Sequence, residues 1–174
     1  MSLGSTNHRI VRGLLQGELL DFLGVYAFNK AQLPDAIPTE EKDGFVDVQV
    51  PNTPAWHDDL AMKNLMCYLV SDMEQHTGTQ LLPTYSYLRV YKTGDVLKRH
   101  TDRHSCEFSV TLNLRKDPRD AVWPIYLETN EVHQVLLEPG DGLIYRGIES
   151  PHWRNKFEGS QVAQVFLHYV KKHQ

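Results

Sequence analysis

The chain has 174 residues, a formal net charge of −4 and a hydrophobic fraction of 41%. That length fits one compact domain, and that composition supplies a core, so an intrinsically disordered chain is excluded. The small, scattered charge gives no electrostatic case for a nucleic-acid partner.

No apolar run reaches the length of a membrane span. The opening MSLGSTNHRI carries no hydrophobic signal core. Two cysteines without motif spacing, Cys67 and Cys106, argue against a disulfide framework and for a cytoplasmic setting.

In chain order, Val11, Leu15, Leu19, Phe22, Leu23 and Tyr26 recur mostly at spacings of three and four, which predicts an amphipathic helix. AQLPDAIPTEEKDG follows as a loop with two prolines and solvated charges. GFVDVQV alternates like a strand. A second helix is expected from about Pro54 to Gly78, with Leu60, Leu65, Leu69 and Met73 facing the core. From Leu81 the period changes to two. TYSYLRVY, CEFSVTLNLR, VWPIYLET, VHQVLLE, GLIYRG and QVAQVFLHYV all read as strands, separated by turns such as KTGD and EPGDG. Helices first and short strands after them predict an α+β chain, in which the strands form a sandwich or barrel and the helices cover one outer face.

KRHTDRHS, at 98–105, is the chemically dense stretch. A His-x-Asp pair is weak by itself, and His57-Asp58-Asp59 repeats the spacing. On a helix, positions i and i+2 point about 200° apart. In extended chain they share a side. His57 and Asp59 fall at a predicted helix start and read as surface, whereas His100 and Asp102 lie between strands and can face one point. His104 stands four residues after His100, but Thr101 occupies the place where a helical zinc motif needs glutamate. It therefore reads as a rim residue.

The strand CEFSVTLNLR places Glu107, Ser109, Thr111, Asn113 and Arg115 on one face and Phe108, Val110, Leu112 and Leu114 on the other. Its polar face either meets solvent or lines a wet pocket. TYSYLRVY favours the pocket, because Tyr85, Tyr87, Arg89 and Tyr91 share a face with apolar bodies and polar tips. Burying Arg115 or Arg89 there would cost several kcal/mol without an anion.

A third metal ligand comes from His133, His152, His168 or His173. His173 is in the tail, His133 borders a turn, and His168 reads as structural. His152, just after Pro151, falls at a barrel mouth. Two histidines and one carboxylate make the facial triad of non-haem iron oxygenases, which leaves positions open on the metal.

Together, TYSYLRVYKTGDVLKRHTDRHSCEFSVTLNL, EPGDGLIYRGIESPHW and EGSQVAQVFLHYV resemble the Fe(II)/2-oxoglutarate-dependent dioxygenases, on the prolyl 4-hydroxylase-like branch. The match covers about residues 81–170. It implies a double-stranded β-helix, or jelly roll, over 81–170, with 1–80 as helical support plus one strand and 1–174 forming a single oxygenase domain. It implies Fe(II) held by His100, Asp102 and His152, and 2-oxoglutarate as co-substrate. The implied reaction couples decarboxylation of 2-oxoglutarate to succinate and CO2 with O2-dependent hydroxylation of a C–H bond. The substrate would be an amino acid, a peptide side chain or a small metabolite.

One feature departs from the family. A basic residue is usual at the start of the last strand, two positions after a glycine; here the glycine is Gly159 and the residue is Gln161. Glutamine donates a hydrogen bond but carries no charge. Arg115, beside Thr111 on its strand, is the preferred replacement, with Arg89 second and Tyr91 as the hydrogen-bonding tyrosine of the family pattern. Arg146 and Arg154 flank His152 and are candidates to meet substrate instead. The missing base keeps open a cupin-like metalloenzyme that does not use 2-oxoglutarate, and a non-catalytic jelly-roll binding module stands as a further alternative.

Overall fold

The computed structural model describes residues 3, 7–44 and 46–172. A strand β1 (His8–Val11) precedes α1 (Gly17–Lys30) and a short α2 (Glu40–Asp43). Next come β2 (Ala55–His57), α3 (Leu60–Tyr68) and α4 (Val70–Thr77). The remainder is strand: β3 (Leu81–Lys92), β4 (Leu97–His100), β5 (Phe108–Asp117), β6 (Ile125–Glu128), β7 (Val132–Val135), β8 (Gly142–Tyr145), β9 (His152–Arg154) and β10 (Gln161–Lys171).

Two antiparallel sheets face each other. The larger has the order β1-β8-β5-β10-β3-β2, and the smaller has the order β4-β9-β6-β7. From β3 to β10 the chain passes repeatedly between the sheets, which is the winding of a double-stranded β-helix.

The period-two pattern explains the layers. On the larger sheet Leu88, Val90, Val110, Leu112, Val165 and Leu167 point outward and bury themselves beneath Leu23, Ala27, Leu65, Met66 and Met73 of the helices. Each such side chain contributes about 1.5–3 kcal/mol when fully buried. The opposite face of the same strands points into the barrel. One end of that interior is closed by Tyr91, Leu97, Trp123, Phe157, Val162 and Phe166.

Several expectations are corrected here. Val11 belongs to β1, paired with Gly142, not to the first helix. Gly13 adopts positive φ in the turn between the two elements, and α1 starts only at Gly17. Leu19 and Phe22 of the expected stripe are exposed, while Leu23 and Ala27 are buried. The described part of 44–50 is irregular rather than a strand, because Asp47 accepts backbone hydrogen bonds from Gln49 and Val50 and turns the chain.

The single helix expected from Pro54 to Gly78 is a strand and two helices. Pairing with β3 holds Ala55–His57 extended. Asp59 then caps α3 by accepting from the amides of Ala61 and Met62. Leu60 is exposed, whereas Leu65, Leu69 and Met73 are buried. Asp59 is itself buried, in contact with Lys30 and Tyr26, and so is not the surface residue expected. His173 lies outside the described residues.

Candidate metal and co-substrate site

His100 closes β4 and His152 opens β9, and the two are register partners across the smaller sheet. Their rings therefore sit side by side, with centroids 4.3 Å apart. Asp102 leaves β4 and is tied down by its amide, which donates to the Gly147 carbonyl at 2.9 Å. One carboxylate oxygen, Oδ1, lies 3.8 Å from His100 Nε2 and 3.6 Å from His152 Nε2. All three ligand atoms lie within 4.8 Å of one another.

Both imidazoles are oriented from behind. His100 Nδ1 is 2.8 Å from the Lys98 carbonyl, and His152 Nδ1 is 3.0 Å from the Ser150 carbonyl. An N–H at Nδ1 that donates to a carbonyl leaves the lone pair on Nε2, and at His152 that nitrogen also lies 3.3 Å from Tyr145 OH. Burial lowers the His152 pKa despite Asp102 nearby, which favours the neutral, ligating form. The donor set therefore fits a divalent metal: two neutral imidazoles and one carboxylate, aimed at one point.

The carboxylate has its own support. Ser109 Oγ donates to Asp102 Oδ2 at 2.9 Å, and Ser109 Oγ also lies 2.9 Å from His168 Nδ1. Since the hydroxyl proton goes to Asp102, Ser109 accepts from His168. Burial pulls the His168 pKa down to about 4, so it stands neutral at pH 7. Cys106 and His168 also approach Asp102 within ligand range. Burial pushes the Cys106 thiol up, however, and Tyr85 OH lies 3.1 Å from Sγ, so that cluster is a weaker metal site.

These three side chains open onto a cavity of about 680 Å3. Its walls include His57, Tyr85, Tyr87, Arg89 and Arg103, together with the turn around Asp47. His57 stacks on Tyr85 with centroids 5.0 Å apart. Arg89 is buried, pairs with Asp47 and donates to Tyr91 OH at 3.2 Å. Tyr87 OH donates to the same Asp47 oxygen at 2.6 Å.

Of the residues expected to contact the co-substrate, two face the interior and two do not. Tyr91 and Thr111 are fully buried inside the barrel, and Thr111 Oγ1 reaches Gln164 Oε1 at 3.4 Å. Arg115 is exposed on the helix side, with its guanidinium over the Phe28 ring. The cause is a bulge: Ala163 pairs with Arg115 but Gln164 pairs with Asn113, so Leu114 is an extra residue and the strand's alternation inverts. Gln161 precedes inward-facing Val162 on β10, and therefore points to the outer side. The polar face of β5 is thus interior at Ser109, Thr111 and Asn113 only.

Arg154 is a further buried base inside the barrel. It follows His152 by two positions on β9 and is 1% exposed. Its Nη1 donates to the Trp123 carbonyl at 2.8 Å, and its guanidinium lies 4.7 Å from the Trp123 ring centre. Nε and Nη2 have no hydrogen-bond partner among the described residues. Burial lowers its pKa to about 10, with Tyr91 and Tyr145 acting in the opposite direction, so it remains a cation at neutral pH. Arg146 is half-buried over Phe108 and paired with Glu149, away from the cavity.

The fold has many solved relatives. The chain superposes on a Pseudomonas putida prolyl-4-hydroxylase with a TM-score of 0.70 and 15% identity, covering 98% of this chain and 96% of that one. It superposes on a Trichoplax adhaerens prolyl hydroxylase, solved with a hypoxia-inducible-factor peptide fragment, with a TM-score of 0.73 and 17% identity over 97% and 86%. It also superposes on SnoN, a non-haem α-ketoglutarate-dependent epimerase of nogalamycin biosynthesis, with a TM-score of 0.74 and 10% identity over 96% and 79%. No family model and no curated protein sequence matches the chain. At these identities the likeness defines the fold, a jelly roll of the kind used by Fe(II)/2-oxoglutarate oxygenases. Among the described residues, no helix is long and apolar enough to cross a membrane.

Proposed function

We propose that this protein is a non-haem Fe(II)- and 2-oxoglutarate-dependent oxygenase that hydroxylates a C–H bond of an amino acid, a peptide side chain or a small metabolite. In this reading residues 81–170 are the catalytic barrel and 1–80 its support. The observation that carries it is the convergence of His100 Nε2, Asp102 Oδ1 and His152 Nε2 on the wall of the cavity. The fold neighbours named above agree with it.

Iron and 2-oxoglutarate, when bound, supply the oxygen activation and the electrons for hydroxylation. The chain's own residues supply geometry. The Lys98 and Ser150 carbonyls fix the ring orientation of the two histidines. Ser109 holds Asp102 so that Oδ1 faces the metal position while Oδ2 is occupied. A carboxylate at 102 contributes one negative charge to the ligand set and takes a coordination position that a small residue would leave free. Tyr91, Thr111 and Gln164 are buried inside the barrel, which supports a keto acid held away from water. Tyr85, Tyr87 and His57 give the substrate side apolar faces with polar edges.

The test is O2-dependent succinate release from 2-oxoglutarate by the Fe(II)-loaded protein. Basal uncoupled turnover is expected without a primary substrate, and its loss is expected in His100→Ala, Asp102→Ala and His152→Ala. A protein that binds Fe(II) but never releases succinate would favour a cupin-like enzyme of another class.

A further inference from the structure

Arg154 is a buried cation without a counter-ion among the described residues. Taking a charged group out of water costs several kcal/mol, and proteins meet that cost by pairing it. The other buried Lys and Arg side chains among the described residues, Arg89 and Lys116, are already matched. Arg89 has Asp47, and Lys116 has Glu138 at 2.8 Å and the Ala121 carbonyl at 3.0 Å. For Arg154 the contacts are one backbone carbonyl and the face of Trp123.

The two donors left over are Nε and Nη2, which form one edge of the guanidinium fork. That edge offers two parallel N–H groups, the geometry that accepts a carboxylate bidentately. The position along the strand is also informative. Two residues of strand advance about 6.6–6.8 Å, so Arg154 lies one inward-facing step beyond His152. The end carbons of an extended five-carbon diacid are about 5 Å apart, given carbon–carbon bonds of about 1.5 Å. A 2-oxo acid anchored beside His152 and Asp102 could therefore present its far carboxylate at this depth. The last strand offers only Val162 on its inward face there, opposite Tyr91.

On the reading that 2-oxoglutarate is the co-substrate, we propose that Arg154 binds its distal carboxylate, with the charge supplied from β9 instead of from the last strand. Arg154 is a positioning residue in this role. It selects a diacid over a 2-oxo acid with an uncharged tail.

The experiment is anaerobic calorimetry on the Fe(II)-loaded protein with two probes, 2-oxoglutarate and 2-oxopentanoate, which share the chelating end and differ at carbon five. Wild type is expected to bind the diacid much more tightly. Arg154→Gln is expected to lose at least about a hundredfold in 2-oxoglutarate affinity, the scale of truncating one partner of a buried, hydrogen-bonded charge pair. Its 2-oxopentanoate affinity is expected to stay within about threefold, which also certifies the fold. Should Arg154→Gln be insoluble, Arg154→Lys keeps the charge without the fork and is expected to lose about tenfold on the diacid alone. An unchanged 2-oxoglutarate affinity in the variant that folds, or an equal loss for both acids, overturns the assignment. A wild-type protein that binds Fe(II) but neither acid removes the co-substrate reading itself, a different failure from indifference at Arg154.

Discussion

Gly147 lies directly against the side chain of Asp102. A Cβ built on Gly147 would stand 2.1 Å from Asp102 Oδ2 and 2.8 Å from Ser109 Oγ. No side chain fits there unless the carboxylate moves. Gly147→Ala is therefore expected to displace Asp102 and weaken Fe(II) or Co(II) binding by about 10–100-fold, the range seen when groups supporting metal ligands are altered. Metal titration by fluorescence or calorimetry checks this, and an unchanged affinity would mean that the carboxylate has room to shift.

The hydroxyl of Ser109 links Asp102 to His168. Ser109→Ala removes the donor to Oδ2 and leaves the His168 N–H buried without its acceptor. Metal affinity is expected to fall by about 10–100-fold, with a stability loss of about 1–3 kcal/mol from the stranded donor. Ser109→Thr, which retains the hydroxyl, is expected to recover part of the metal affinity. Metal titration and urea unfolding of both variants separate the two effects.

Asp47 and Arg89 are both buried and hold the 46–50 turn against β3. Asp47→Ala strands the guanidinium and is expected to cost about 3–5 kcal/mol. The double variant Asp47→Ala/Arg89→Met removes both charges and is expected to be more stable than Asp47→Ala alone. Chemical denaturation of the four proteins in that cycle reads the coupling directly.

Asp59 predicts a pH dependence of stability. Burial works to raise its pKa, but hydrogen bonds from Lys30, Tyr26 and the Met62 amide win, and the folded value lies below the usual one. A depressed folded pKa means that this contribution is fully present above the unfolded carboxylate value of about 3.9. It is lost as pH falls through the lower folded pKa. Comparing the melting temperature of wild type and Asp59→Asn from pH 7 to pH 2 should show a gap that is constant above about pH 5 and closes in acid. A gap independent of pH would place the benefit in packing alone.

The long strands were legible because their alternation runs for many residues: TYSYLRVY and QVAQVFLHYV became β3 and β10. The approach of His100 to Asp102 was legible for a different reason. His100 and Asp102 need only extended chain to face one point, and Pro151 marked where His152 turns inward. The two strands that carry the histidines escaped notice, because β4 and β9 span four and three residues, too few to display a period. Pairing across the sheet makes them strands, and pairing is not local information.

Arg115 was misplaced for a similar reason. Its alternation is faultless in the sequence, and the inversion arises from a bulge set by the register with β10. Arg154 did leave a signal. His152-Trp153-Arg154 alternates, so a reader who put His152 inside was already committed to placing Arg154 inside as well.

The most direct test of the central claim is an anaerobic titration of the Fe(II)-loaded protein with 2-oxoglutarate, followed by visible absorption. If His100, Asp102 and His152 hold one iron with positions open to a keto acid, a weak visible charge-transfer band will grow in and saturate at one equivalent, and it will be absent in His152→Ala. Saturated Fe(II) binding with no band in wild type, or an undiminished band in His152→Ala, would contradict the account.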